Sequence, residues 1–297
     1  MSTSVGYRDL SPWQVECTDG TVIRGRRVAA EGGAPTLYFL HGNGFSGGVY
    51  WSLLRRLIAP YGLITHDIEN HGESQVTGRY DGPGPMFSQI CEVFDQLEKP
   101  DNMVVLGHSL GGAMSTLLAA ARPEALRAAI LMDPILIKPA LWTLMRAASW
   151  AGRNPMANAA IRRRALWPDR HGLFQHLNGR GVYRGWREEA FEDFIDHASH
   201  AVPEGQALIC PPAVEAAIFK RPVWPWAAVR QLSMPTLMLY GLGSYPFFPA
   251  TARYVRAQNP RITVEGVPGG HCFMLEDPDA NAARIRSFLS GMEHGAR

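Results

Sequence analysis

Gly107-His108-Ser109-Leu110-Gly111 directly follows the apolar run Met103-Val104-Val105-Leu106 and leads into an Ala- and Leu-rich stretch that stops before Pro123. A run with no polar alternation suits a strand buried on both faces, as in a parallel sheet. Ser109 then sits at a sharp turn from strand into helix. Such a turn strains the serine backbone and leaves no room for side chains beside it, so glycines are required at 107 and 111, with Gly112 behind. The turn lifts the hydroxyl above the strand ends and aims the free N–H groups of a helix N-terminus at it. A glycine-rich turn that merely cradles a phosphate would bring a dinucleotide or P-loop pattern, and neither occurs here.

The rest of the chain fits that frame. Residues 13–17 and 21–28 read as a hairpin about Asp19-Gly20,. Residues 36–40, 62–67, 103–106 and 129–132 read as strands, with helices at about 50–59 and 86–98 and after Ser109,. Alternating strands and helices predict an α/β fold with a mostly parallel twisted sheet and helices on both faces. The alternation breaks over 134–232, where helical segments occur without a convincing strand. This stretch carries six of the eight tryptophans and the run Arg162-Arg163-Arg164, which reads as a solvated helix face. Strands return at 236–240 and 262–264, before a closing helix at about 280–289. The expected organisation is a core of 1–133 and 233–297, with 134–232 inserted as a helical cap.

Composition narrows the function. The chain has 297 residues and a formal net charge of +2, which gives no reason to expect a nucleic-acid partner,. Cys17, Cys91, Cys210 and Cys272 are far apart and form no metal-binding or disulfide pattern,. No uncharged apolar stretch reaches the length of a membrane span, and residues 1–10 lack a signal-peptide pattern,. The expectation is a cytoplasmic protein with reduced thiols, no integral membrane association, and neither cofactor nor metal.

A serine hydroxyl needs a general base to become a nucleophile. His271, in Gly269-Gly270-His271 after the last strand, would lie over the same sheet edge as Ser109,. His294 falls in a tail, and His171, His176, His197 and His200 fall in the cap. The loop His41-Gly42-Asn43-Gly44-Phe45 follows the strand at 36–40 and can turn backbone N–H groups toward the serine. Acyl transfer needs two such donors for its oxyanion, assigned to the backbones of Asn43 and Leu110, with Gly44 and Phe45 as alternatives for the first. His41 reads as a structural hydrogen-bonding residue.

Together, His41-Gly42, Gly-His-Ser-Leu-Gly-Gly at 107–112 and Gly-Gly-His at 269–271 resemble the α/β-hydrolase superfamily. Asp67 with Asn70-His71-Gly72-Glu73-Ser74 is similar to a further stretch these enzymes carry. The resemblance covers nearly the whole chain, the cap least. It implies a triad whose acid follows the penultimate strand. Here that loop reads Gly241-Leu242-Gly243-Ser244-Tyr245, and no Asp or Glu lies between Glu215 and Glu265. Asp133, ending the strand after the nucleophile's helix, is the replacement acid, a position that some members such as certain haloalkane dehalogenases use. Asp193 and Asp196 in the cap are alternatives.

The reading is a serine hydrolase that cleaves a carboxylic ester of a small to medium hydrophobic substrate. The same apparatus serves thioesters, lactones, amides and carbon–carbon bonds, and a non-catalytic receptor is the alternative of another class. Phe45, Trp142 and Phe273 are the candidate substrate contacts.

Overall fold

A computed structural model of the chain describes residues 5–294; the first four positions of the N-terminal segment lie outside the described residues. The strands of the main sheet begin with β1 (Ser11–Glu16), β2 (Val22–Val28), β3 (Thr36–Leu40), β4 (Gly62–His66), β5 (Met103–His108) and β6 (Ala128–Met132). Between them lie α1 (Trp51–Leu54), α2 (Pro83–Gln96) and α3 (Leu110–Ala121). The next segment holds α4 (Pro139–Trp150), α5 (Pro155–Ile161), β7 (Leu166–Trp167), α6 (Arg170–Leu177), α7 (Glu188–Ala198), β8 (Ser199–Val202), β9 (Gly205–Leu208), α8 (Pro212–Lys220) and α9 (Trp226–Gln231). The chain then closes with β10 (Thr236–Gly241), α10 (Phe248–Gln258), β11 (Ile262–Val267), α11 (Phe273–Glu276) and α12 (Pro278–His294).

The eight-stranded sheet has the order β1-β2-β4-β3-β5-β6-β10-β11. β2 runs antiparallel to both its neighbours, and every other pair is parallel. The central strands are buried along their whole length, and their side chains divide between two cores with period two,. Leu37, Phe39, Val104, Leu106, Ile130 and Leu239 join one core with α1, α7 and α12. Tyr38, Leu40, Val105, Leu131 and Met238 join the other with α2, α3, α9 and α10. Two covered faces explain why these strands carry no polar alternation.

Two segments depart in secondary structure from the sequence expectations. The helix expected at about 50–59 is a 3-10 turn at Gly47–Tyr50 followed by the four residues of α1. The segment between β6 and β10 is not purely helical: β7, β9 and β8 form a small antiparallel sheet. Its strands are two to four residues long, too short to write an alternation into the sequence,. This segment is tied to the sheet through α7. Asp193 accepts from the Ser52 N–H at 2.7 Å. His197 lies so close to Gly48 that a Cβ there would stand 2.3 Å from its Cγ. Among the described residues no helix is long and apolar enough to cross a membrane.

Candidate active site

Because β3, β5, β6, β10 and β11 are parallel, the loops leaving them emerge on one sheet edge,. Ser109 lies there between β5 and α3 with φ 55°. That left-handed conformation is strained for serine and persists because its surroundings enforce it. The Ser109 N–H donates to the Met132 carbonyl at 3.0 Å, and its own carbonyl accepts from Ala113 and Ile135. A Cβ on Gly107 would stand 2.3 Å from Ser115 Oγ, and one on Gly111 2.1 Å from the Leu40 carbonyl oxygen. Contacts that short exclude any side chain, which is the requirement read from the pentapeptide.

His271 Nε2 stands 3.0 Å from Ser109 Oγ. Its Nδ1 is 2.6 Å from Asp133 Oδ2. A proton on Nδ1 donated to the carboxylate leaves Nε2 as the acceptor of the serine proton, the tautomer a general base requires. Asp133 is fully buried at the end of β6. Its Oδ1 accepts from the Gly241 N–H at 2.9 Å, and Ser244 Oγ donates to Oδ2. Thus Ser244, in the loop where relatives would carry the acid, hydrogen-bonds the carboxylate instead. Asp193 is engaged with Ser52 and Asp196 with Arg170, so neither of these carboxylates is the partner of His271.

The loop at 41–45 is held from three sides. His41 Nε2 accepts from the Ile68 N–H at 2.9 Å, so its Nδ1 carries the proton and donates to the Gly42 carbonyl,. His71 Nε2 accepts from the Gly44 N–H at 3.0 Å, and the Phe45 N–H donates to the Gly42 carbonyl. The Gly42 N–H donates to Tyr50 Oη at 3.2 Å. Among the described residues the Asn43 N–H has no acceptor, and neither has the Leu110 N–H at the first position of α3. Of the loop's three candidates, only Asn43 therefore has a free N–H. Burial keeps these histidines neutral: His41 is pushed well below the ordinary imidazole range, and His71 to about 4,.

The sequence reading missed His108 and Tyr50. His108 Nε2 lies 2.9 Å from the His271 carbonyl oxygen, which can only accept, so Nε2 carries the proton,. Its Nδ1 then accepts from the Tyr50 hydroxyl at 2.6 Å, whose oxygen accepts from Gly42. Burial drives the His108 pKa well down, in keeping with this single neutral tautomer. One chain of hydrogen bonds thus joins the loop of His271 to the loop of Asn43. The position between Gly107 and Ser109 was its only sequence signal.

Ser109, His271 and Asn43 line a cavity of about 550 Å³ between the sheet edge and the segment above it. Phe45 lines it, as expected, and so do His176, Ile135 and Tyr245. Two other expected contacts lie elsewhere. Trp142 packs edge-on against Trp224 and donates its indole N–H to the carbonyls of Pro222 and Val223. Phe273, the first residue of α11, is completely buried in the core. The arginine run is also not a helix face: it follows the end of α5, and all three arginines line the cavity. A second, mostly apolar cavity of about 60 Å³ meets the first at Ser109 and Asn43.

Comparison with known proteins agrees with this architecture. Residues 37–284 match the model of the alpha/beta hydrolase family. A putative non-heme haloperoxidase of Mycobacterium phage D29 is 36% identical over 271 residues, 85% of this chain and 86% of that protein. The mouse (lyso)-N-acylphosphatidylethanolamine lipase is 24% identical over 237 residues, 73% of this chain and 68% of that protein. The crystal structure of E-2-(acetamidomethylene)succinate hydrolase superposes with a TM-score of 0.76 at 20% identity, covering 95% of this chain and 99% of that one. With the family model spanning most of its length, from β3 into α12, the chain belongs to the alpha/beta hydrolase family.

Proposed function

We propose that the protein is a serine hydrolase that cleaves a carboxylic ester through an acyl-enzyme on Ser109. The observation that carries this reading is the alignment of His271 Nε2 at 3.0 Å from Ser109 Oγ with Asp133 behind Nδ1 at 2.6 Å. His271 takes the Ser109 proton as Oγ attacks the ester carbonyl. The tetrahedral oxyanion accepts from the free N–H groups of Asn43 and Leu110. His271 then protonates the departing alcohol, and the acyl group stays on Oγ. Water enters, gives its proton to His271 and attacks the acyl carbon; the acid leaves and Ser109 recovers its proton. This sequence calls on no cofactor or metal.

Residues 134–232 act as the cap that closes this site over the core of 1–133 and 233–297. Phe45, Ile135, Met156 and Phe219 give the substrate an apolar wall,. The four cysteines of the chain are all free, which suits a reducing cytoplasm,.

The test is labelling by a fluorophosphonate, followed by a panel of p-nitrophenyl esters of increasing acyl length. Labelling at Ser109, its loss in Ser109→Ala, and hydrolysis of the esters are the expected results. Labelling without hydrolysis of any ester would move the substrate to a thioester, amide or carbon–carbon bond. A protein that does not label is a binding module.

A further inference from the structure

We propose that the ester carries an anionic group, a carboxylate or a phosphate, held by arginines at the mouth of the cavity; this rests on the reading of Ser109 as the nucleophile. Arg162, Arg163, Arg164 and Arg180 line the same cavity as Ser109 and His271. The only carboxylate in that lining is Glu215, which is committed to Arg163 at 2.8 Å. Arg164 donates Nε to the Leu166 carbonyl at 2.7 Å and has no carboxylate partner. Among the described residues Arg162 and Arg180 have no ion-pair partner at all.

What sets these four arginines apart is that they share one cavity with Ser109, since arginines without a carboxylate partner, such as Arg8, Arg24 and Arg127, also occur elsewhere. Arg26, Arg55, Arg56, Arg122, Arg170 and Arg284 each pair with an Asp or Glu. The whole chain carries a formal charge of only +2, yet this one concavity gathers four guanidinium groups around a single carboxylate. Walls of low dielectric focus such a charge toward the opening, and the planar guanidinium fork matches a carboxylate or phosphate. The smaller, mostly apolar cavity of about 60 Å³ adjoins the first at Ser109 and Phe219, with Arg221 the only charged residue in its lining. The two spaces fit an ester with a compact apolar group on one side of the scissile bond and an anion on the other.

The experiment compares three esters at matched length: p-nitrophenyl hexanoate, the same ester with a terminal carboxylate, and the same ester with a terminal phosphate. The readout is kcat/KM for each charged ester relative to the neutral one. At low ionic strength at least one anion is preferred by about ten-fold or more, and whichever it is identifies the group. The preference shrinks between about 0.01 M and about 1 M salt, as the screening length falls from about 30 Å to about 3 Å. In Arg162→Gln/Arg180→Gln the preference falls about ten-fold, whereas Arg261→Gln, on the opposite sheet edge, leaves it as it was. Equal or better turnover of the neutral ester by the wild type, or a preference that survives the double substitution, overturns the proposal while the nucleophile reading stands. If Ser109 fails to label, calorimetry with adipate and butyl phosphate still decides the matter. Binding that the double substitution weakens sustains the anion site without the enzyme, and no binding of either anion to the wild type removes it.

Discussion

Ser244 donates its hydroxyl to Oδ2 of Asp133, the same oxygen that accepts from His271 Nδ1. The carboxylate of Asp133 therefore directly follows β6 and is braced from the loop after β10. Asp133→Asn, with an amide that can set the wrong tautomer on His271, is expected to lower kcat/KM by about a thousand- to ten-thousand-fold. Circular dichroism would verify that the fold is kept. Ser244→Asp alone forces two carboxylates together and lowers activity. In the Asp133→Asn background it brings a carboxylate back beside Nδ1 and restores part of the activity. Turnover of Asp133→Asn within a few-fold of wild type would show that another group orients His271.

Tyr50 links His108 to Gly42, so its hydroxyl has more at stake than one hydrogen bond. Tyr50→Phe leaves the Gly42 N–H and His108 Nδ1 without partners in a fully buried place. The expected cost is about 1–3 kcal/mol of stability, read by urea unfolding. The loop presenting Asn43 also loosens, so kcat falls while KM changes little. An unchanged kcat in a folded Tyr50→Phe protein would show that the loop holds its position without this link.

Two glycine-to-alanine substitutions separate necessity from accident. At Gly111 an added methyl would stand 2.1 Å from backbone oxygen, so Gly111→Ala is expected to give little soluble, folded protein. At Gly291, near the end of α12, an added methyl meets nothing within 4 Å. Gly291→Ala should therefore stabilise by about 0.5–1 kcal/mol through helix propensity, seen as a higher Tm.

Stability should fall on mild acidification. Burial lowers the pKa of His66 to about 3 and of His71 and His197 to about 4, and drives His41 and His108 well down. Each of these binds a proton more readily unfolded than folded below about pH 6.5, so each favours unfolding as pH drops toward 4. Asp67 and Asp193, both raised to about 7 by burial, work the other way over that range. They are outnumbered, so the net loss of stability between about pH 6.5 and about pH 4.5 is on the order of several kcal/mol. Urea midpoints across that interval check the sign, and a midpoint that rises on acidification would contradict it.

The parts that were legible in the chain are those where chemistry leaves one choice. Gly107 and Gly111 admit no side chain, so the turn at Ser109 announces itself. Asp133 was legible through an absence, since no acidic residue lies between Glu215 and Glu265. The walls of the cavity were not legible. Trp142 and the arginine run both sit in a segment whose helices and two- to four-residue strands pack in directions that periodicity does not encode. Six of the chain's eight tryptophans fall there, but α4 buries no residue fully, and the arginines fall in the turn after α5. His108 was hidden for another reason: its partners are a tyrosine 58 residues earlier and a carbonyl 163 residues later.

The bridge through His108 also limits how a site like this can diverge. The loops of His271 and Asn43 hang from opposite ends of one buried imidazole, next in the chain to Ser109. A substitution that shifts one loop strains the other, so changes to the chemical machinery come as a package and are rarely tolerated singly. Beyond Asp133, the segment between β6 and β10 reaches Ser109 and Asn43 by two single hydrogen bonds, from the Ile135 N–H to the Ser109 carbonyl and from Asn43 Nδ2 to the Glu215 carbonyl, and takes no part in the His108 bridge. Variation among descendants of this chain is therefore channelled into what the enzyme admits, and away from how it reacts.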